Sequence, residues 1–202
     1  LPDLLFDESR KDRYLSLGKT RDLSLITLSS ETASANDIFL LDASSATAPL
    51  VPLALDSLGG ISRVERLGQS LLVYSRGAES ARALFSRPLK CERNCELKEA
   101  YRAEPGSLLE DFQVFKDMTV LTVKSGWKES IQVLDARLRP VETIRFPSEV
   151  VSLQVSPLGD FTARSFRFSC SSLNEPRQIR EFTLDSRQTH LLFRDSPPGF
   201  NT

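Results

Sequence analysis

The feature that most constrains this chain is a pair of alternating apolar segments that returns four times at a nearly constant interval. The earlier member of each pair reads Leu23-Ser-Leu-Ile-Thr-Leu28, Ser70-Leu-Leu-Val-Tyr74, Met118-Thr-Val-Leu-Thr-Val123 and the less regular Phe161-Thr-Ala-Arg-Ser-Phe-Arg-Phe168. Three of the segments that follow close on an aspartate: Ile38-Phe-Leu-Leu-Asp42, Ile131-Gln-Val-Leu-Asp135 and Phe182-Thr-Leu-Asp185. Asp42 and Asp135 stand 93 residues apart, two units of about 46, and Asp185 follows 50 later. Period-two alternation reads as half-buried strand, and short strands repeating every 40 to 50 residues or so are the mark of propeller blades.

Turn residues divide the chain into units at 14–55, 59–103, 109–146 and 150–194, each with four strands in meander order. The expected strands are 14–20, 23–29, 37–41 and 50–55; 61–67, 70–75, 82–87 and 99–102; 110–115, 119–124, 131–134 and 141–146; and 150–155, 162–169, 178–184 and 190–193. Residues 1–8, with the apolar run Leu4 to Phe6, read as the outer strand of a preceding blade, set off by the charged stretch Asp7 to Arg13. Helical periodicity is confined to weak possibilities at 80–84 and 108–112. The expectation is an all-β chain, about four four-stranded antiparallel blades. A two-sheet sandwich accommodates short strands but leaves the recurrence unexplained.

Composition excludes more than it selects. Lys and Arg number 26 against 27 Asp and Glu, so the net charge of -1 supplies no electrostatic reason for a nucleic-acid or anionic-membrane partner. No apolar run approaches the roughly 20 residues that span a bilayer as a helix. Cys91, Cys95 and Cys170 with the lone His190 are a poor ligand set for zinc, and neither a metal nor another cofactor is expected. A local Cys91–Cys95 disulfide fits an oxidising compartment; two spectator thiols in a polar loop are the reading preferred here. The chain does not begin with Met and its one methionine is Met118, so a piece of something longer is expected.

The stretch Leu5-Phe-Asp-Glu8, Tyr14-Leu-Ser-Leu-Gly-Lys-Thr20 and Ser29-Ser-Glu-Thr-Ala-Ser-Ala-Asn-Asp-Ile-Phe-Leu-Leu-Asp42 resembles the propeller of the prolyl oligopeptidase family of serine peptidases, on its oligopeptidase B and prolyl endopeptidase-like side. Phe168-Ser-Cys-Ser-Ser-Leu-Asn-Glu-Pro176, Phe182-Thr-Leu-Asp185 and Pro198-Gly-Phe200 are similar to the family's last blade. Between Gly59 and Arg145 only the strand pattern carries the resemblance. It implies a seven-bladed propeller over an α/β-hydrolase domain, gating the entry of short peptides in the cytoplasm. This chain would supply about four blades, with 195–202 starting the linker to that domain. Its partners would be the missing blades, the catalytic domain and short peptides; the isolated chain, with apolar blade faces uncovered, is expected to self-associate. The alternative is an interaction scaffold with no peptidase partner.

No catalytic residue is expected within the chain. Serine hydrolysis needs a Gly-x-Ser-x-Gly turn and a histidine base oriented by a carboxylate; the pentapeptide is absent, and His190 sits in the last expected strand. Glu110 and Asp111 are expected on opposite strand faces and so cannot flank one substrate. The recurring aspartates read as turn initiators bonding their own backbone, and Trp127 in its hairpin as either an exposed contact or, the reading preferred here, packed over a neighbouring blade. What the resemblance adds is the loop between a blade's second and third strands, Ser30 to Asn36, in which Glu31, Thr32 and Ser34 would border the peptide path or the domain interface.

Overall fold

A computed structural model describes residues 4–45, 47–53, 55, 58–60, 62–77, 82–90, 95–146, 150–156 and 160–196. Four antiparallel sheets of four strands are built from consecutive segments. The first holds β1 (Tyr14–Lys19), β2 (Leu25–Glu31), β3 (Asn36–Asp42) and β4 (Val51–Leu53); the second β5 (Ser62–Leu67), β6 (Ser70–Ser75), β7 (Ala83–Pro88) and β8 (Lys98–Arg102). The third holds β9 (Ser107–Val114), β10 (Met118–Ser125), β11 (Lys128–Asp135) and β12 (Pro140–Ile144); the fourth β13 (Val150–Val155), β14 (Ser165–Ser172), β15 (Gln178–Thr183) and β16 (Gln188–Arg194). In each sheet the spatial order is the chain order, as a meander requires. The all-β, four-bladed architecture expected from the repeat is the one observed.

Turn chemistry explains the tight corners. β10 and β11 pair as far as Ser125↔Lys128, leaving Gly126 and Trp127 as a two-residue loop. Gly126 has φ of 60°, the left-handed value that hairpin turns matching strand twist need at their first central residue. Residues 108–112, weakly helical in pattern, lie in β9, because their apolar partners are across the sheet on β10. A bulge there leaves Glu110 unpaired between Leu109 and Asp111, so the strict alternation assumed for Glu110 and Asp111 does not hold.

The chain forms two compact units, 1–102 and 103–202. In the first, the core joins Leu25, Ile38 and Leu53 of the first sheet to Val64, Leu71 and Val73 of the second. The register puts Leu17, Leu28 and Phe39 on the opposite face of the first sheet. Leu17 is exposed there, while the ring of Phe6 covers Phe39 at 4.8 Å. Residues 4–13 pair with no strand among the described residues.

The core of the second unit is aromatic. Phe166 lies 5.3 Å from Phe182 and 6.1 Å from Phe168, and Phe146 meets Phe168 edge-on at 5.9 Å. Met118, Val120, Ile131 and Val133 of the third sheet complete it. The face of the fourth sheet turned away from this core carries Arg167 paired with Glu181 at 3.1 Å, together with His190 and Phe193. It is mixed.

Several expectations fall on Ser80, Cys91, Pro147, Pro198, Gly199 and Phe200, which lie outside the described residues. Cys95 is disulfide-bonded, which corrects the reading of it as a spectator thiol, and Cys170 is free and buried. Trp127 is 82% exposed on its hairpin tip, so the expected packing over a neighbouring blade is not found.

Candidate functional site at the β2–β3 hairpin

β2 and β3 pair without interruption from Leu25↔Asp42 to Glu31↔Asn36, leaving four residues, Thr32 to Ala35, as the turn. Thr32 organises it. Its N–H donates to the Ala35 carbonyl at 2.8 Å. Its Oγ1 accepts from Ala35 N at 3.1 Å and Ser34 N at 3.3 Å, and donates to the Ala35 carbonyl at 3.2 Å. A Thr hydroxyl used in this way replaces backbone bonds that a wide turn would leave unmade.

The three hairpin candidates therefore divide by role. Thr32 is committed to turn geometry. Glu31 Oε1 accepts from the Ser16 hydroxyl on β1 at 2.7 Å, which fixes the side chain across the strand pair. Ser34 is exposed, and its hydroxyl has no partner among the described residues, so it is the open hydrogen-bonding group at the tip.

Two constructions that the sequence did not disclose hold the hairpin in place. Asn36 clamps the first sheet to the second: its Nδ2 donates to the Ser62 carbonyl at 2.9 Å, and Ser62 N donates to its Oδ1 at 2.7 Å. On the other face, Arg13 donates through Nε to Ser30 Oγ at 2.7 Å and through Nη2 to Asp37 Oδ2 at 2.7 Å. Glu8 closes this network, accepting from Arg10 Nε at 2.7 Å and from the buried Ser30 hydroxyl. The Arg10 bonds, then the Ser30 bond, lower the Glu8 carboxyl to about 2.

The stretch Asp7 to Arg13 had read only as a charged separator. Its alternating signs were the available signal, but its partners Ser30 and Asp37 lie 17 to 27 residues away, where no periodicity links them.

The recurring aspartates share an origin only in part. Asp42 accepts from Ser44 N at 2.9 Å and Asp135 from Arg137 N at 2.8 Å, the expected turn bonds, and both carboxyls are lowered. Asp185 differs: Arg164 grips it through Nη2 at 2.6 Å and through Nε at 3.0 Å. His190 is exposed on β16, in register with Glu181. Among the described residues no three His, Cys, Asp or Glu side chains form a metal-ligand group. The hairpin offers hydrogen bonds and a rigid border.

Four-strand meanders repeated along the chain, with hairpin loops presented by rigid sheets, define a propeller. Residues 3–194 match the family described as prolyl oligopeptidase, N-terminal beta-propeller domain, and the chain belongs to that family. A prolyl endopeptidase-like protein of Xenopus laevis is 23% identical over 199 residues, covering 98% of this chain and 28% of that protein. The chain thus spans a little over a quarter of that relative's length. Among solved structures, apo prolyl oligopeptidase B of Galerina marginata superposes with a TM-score of 0.79 at 10% identity, over 96% of this chain and 28% of that one. Oligopeptidase B of Trypanosoma brucei with covalently bound antipain, in its closed form, gives 0.75 at 15% identity, over 98% and 29%.

Proposed function

We propose that this chain is the gating portion of a serine oligopeptidase that cleaves short peptides, contributing no catalytic group itself. The observation that carries the reading is the family match over 3–194, supported by a hairpin whose open group, Ser34, is held on a doubly anchored scaffold. On this reading the four sheets are an arc of a seven-bladed ring, the segment from Leu4 to Phe6 is the outer strand of the preceding blade, and residues 195–202 lead to an α/β-hydrolase domain holding the triad. Glu31 and Ser34 border the peptide path, with Thr32 shaping the loop that carries them.

We place the protein in the cytoplasm on the family resemblance. The Cys95 disulfide weighs against that location. The scaffold alternative draws on Trp127, because exposed tryptophans are favoured contact anchors. Coding sequence beyond residue 202 separates the two: a Gly-x-Ser-x-Gly turn with later Asp and His supports the peptidase, and its absence supports the scaffold.

The site is tested in the full-length protein by Ser34→Trp. The expected result is a change of roughly tenfold in kcat/KM for short peptides, on the order of 1.4 kcal/mol. Thr32→Ser, which keeps the hydroxyl and hence the turn, should leave kinetics near wild type. Unchanged kcat/KM in Ser34→Trp removes the hairpin from the peptide path.

A further inference from the structure

We infer that a cavity of about 380 Å³ between β12 and the fourth sheet is a binding site for a small organic monocarboxylate. Its size falls within the range of small-molecule sites. Both walls belong to the second unit.

The walls are polar where the core pattern calls for apolar residues. Pairing of Glu142 with Val133, and of Ile144 with Ile131, puts Glu142 on the core-facing side of β12. Across from it, Arg180 pairs with Phe168, and Gln178 with Cys170, so an arginine and an amide share a face with core residues. Placing a guanidinium there is costly unless its N–H groups find acceptors.

The arginine is also held in position. Gln178, 5% exposed, accepts Arg180 Nε through its Oε1 at 2.9 Å and donates its Nε2 to Glu175 Oε2 at 3.3 Å. This relay spends Nε on the protein and leaves the two Nη groups without a carboxylate among the described residues. Arg145 and Arg187 also line the cavity and make no ion pair among the described residues. A planar carboxylate matches a guanidinium fork through two parallel hydrogen bonds, which a spherical anion cannot do.

Glu142 and Glu175 are the lining carboxylates, and Glu142 Oε1 accepts its neighbour Thr143 N at 3.0 Å. Three arginines against two glutamates leave one positive charge in excess, which favours a single carboxylate over a multiply charged anion. Ile144 and Phe146 provide an apolar wall for the rest of the molecule.

Cys170 lines the same cavity and reports on it. Burial pushes its thiol up, and the charge of Arg180 pulls the other way. The test is alkylation of Cys170 by iodoacetamide in the full-length protein, followed by peptide mass spectrometry, with sodium benzoate as the probe and benzamide, chloride and inorganic phosphate as comparators. Benzoate should slow alkylation saturably while the comparators do not. Arg180→Gln should weaken this protection about tenfold or more. Arg187→Gln, at an exposed position lining the cavity, should weaken it severalfold. The assignment is overturned by the absence of saturable protection in the wild type, by equal protection from benzamide or phosphate, or by protection that survives both substitutions.

Discussion

Replacing Asn36 by alanine isolates the contact that fixes the first sheet to the second. The side chain makes two hydrogen bonds to one residue, at 2.9 and 2.7 Å, and Ser62 is 7% exposed. A neutral hydrogen bond contributes about 0.5–1.5 kcal/mol net, and a buried partner left unsatisfied costs about 1–3 kcal/mol. Removing both bonds strands one donor and one acceptor on Ser62. Because Asn36 is itself half-buried, water recovers part of the loss, and a destabilisation of about 2–3 kcal/mol is expected. That is a large share of the roughly 5–15 kcal/mol of a typical domain. Asn36→Asp should cost at least as much, because it keeps the acceptor for Ser62 N but turns a second oxygen toward the Ser62 carbonyl. Urea unfolding followed by circular dichroism gives the magnitude, with an unchanged slope against denaturant expected. Hydrogen exchange at the Ser62 amide gives the location, since its protection should fall with the lost acceptor. A midpoint shift worth less than about 0.5 kcal/mol, the scale of an ordinary surface change, would refute the clamp.

Two other outcomes follow from the packing and the charges. Glu8 is lowered from 4.5 to about 2 by Arg10 and Ser30, so the folded state favours its ionised form. Its stabilisation is complete above about pH 4.5 and is lost as pH falls toward 2. Glu8→Gln should flatten stability across that acid window, and an unaltered pH profile would exclude the network as its source. Phe182, fully buried against Phe166, should lose about 3–5 kcal/mol as alanine, measured by thermal or urea unfolding. A loss below about 1 kcal/mol would mean that the aromatic core collapses freely around the gap.

The strands were legible because a sheet with one buried face writes itself into the sequence as alternation. β6 occupies Ser70 to Ser75 and β13 Val150 to Val155, as the pattern reads, and the remaining strands differ from it mainly at their ends. What alternation cannot record is a side chain bonded to the backbone of another sheet. Asn36 reaches a residue 26 positions away, and nothing local distinguishes it from a solvated turn asparagine. The Glu8 network escaped for the same reason, and Trp127 because a lone aromatic carries no sign of whether it is covered. The Ser30 to Asn36 loop was located by resemblance; the different roles of Glu31, Thr32 and Ser34 needed coordinates.

Because spatial order equals chain order in all four sheets, every ladder pairing joins residues no more than 22 positions apart, as Val150 and Ser172 are. Such closure keeps contact order low for an all-β chain, so loop entropy slows its folding less than in a Greek key. A ribosome releasing this polypeptide would deliver each blade with all its pairing partners already outside the exit tunnel, able to zip before the next one emerges. Splitting the gene between Leu53 and Ser62 would then spare every ladder and leave one sheet-to-sheet core and the Asn36–Ser62 clamp to rejoin the halves, which makes that junction a natural place to divide the protein into complementing pieces.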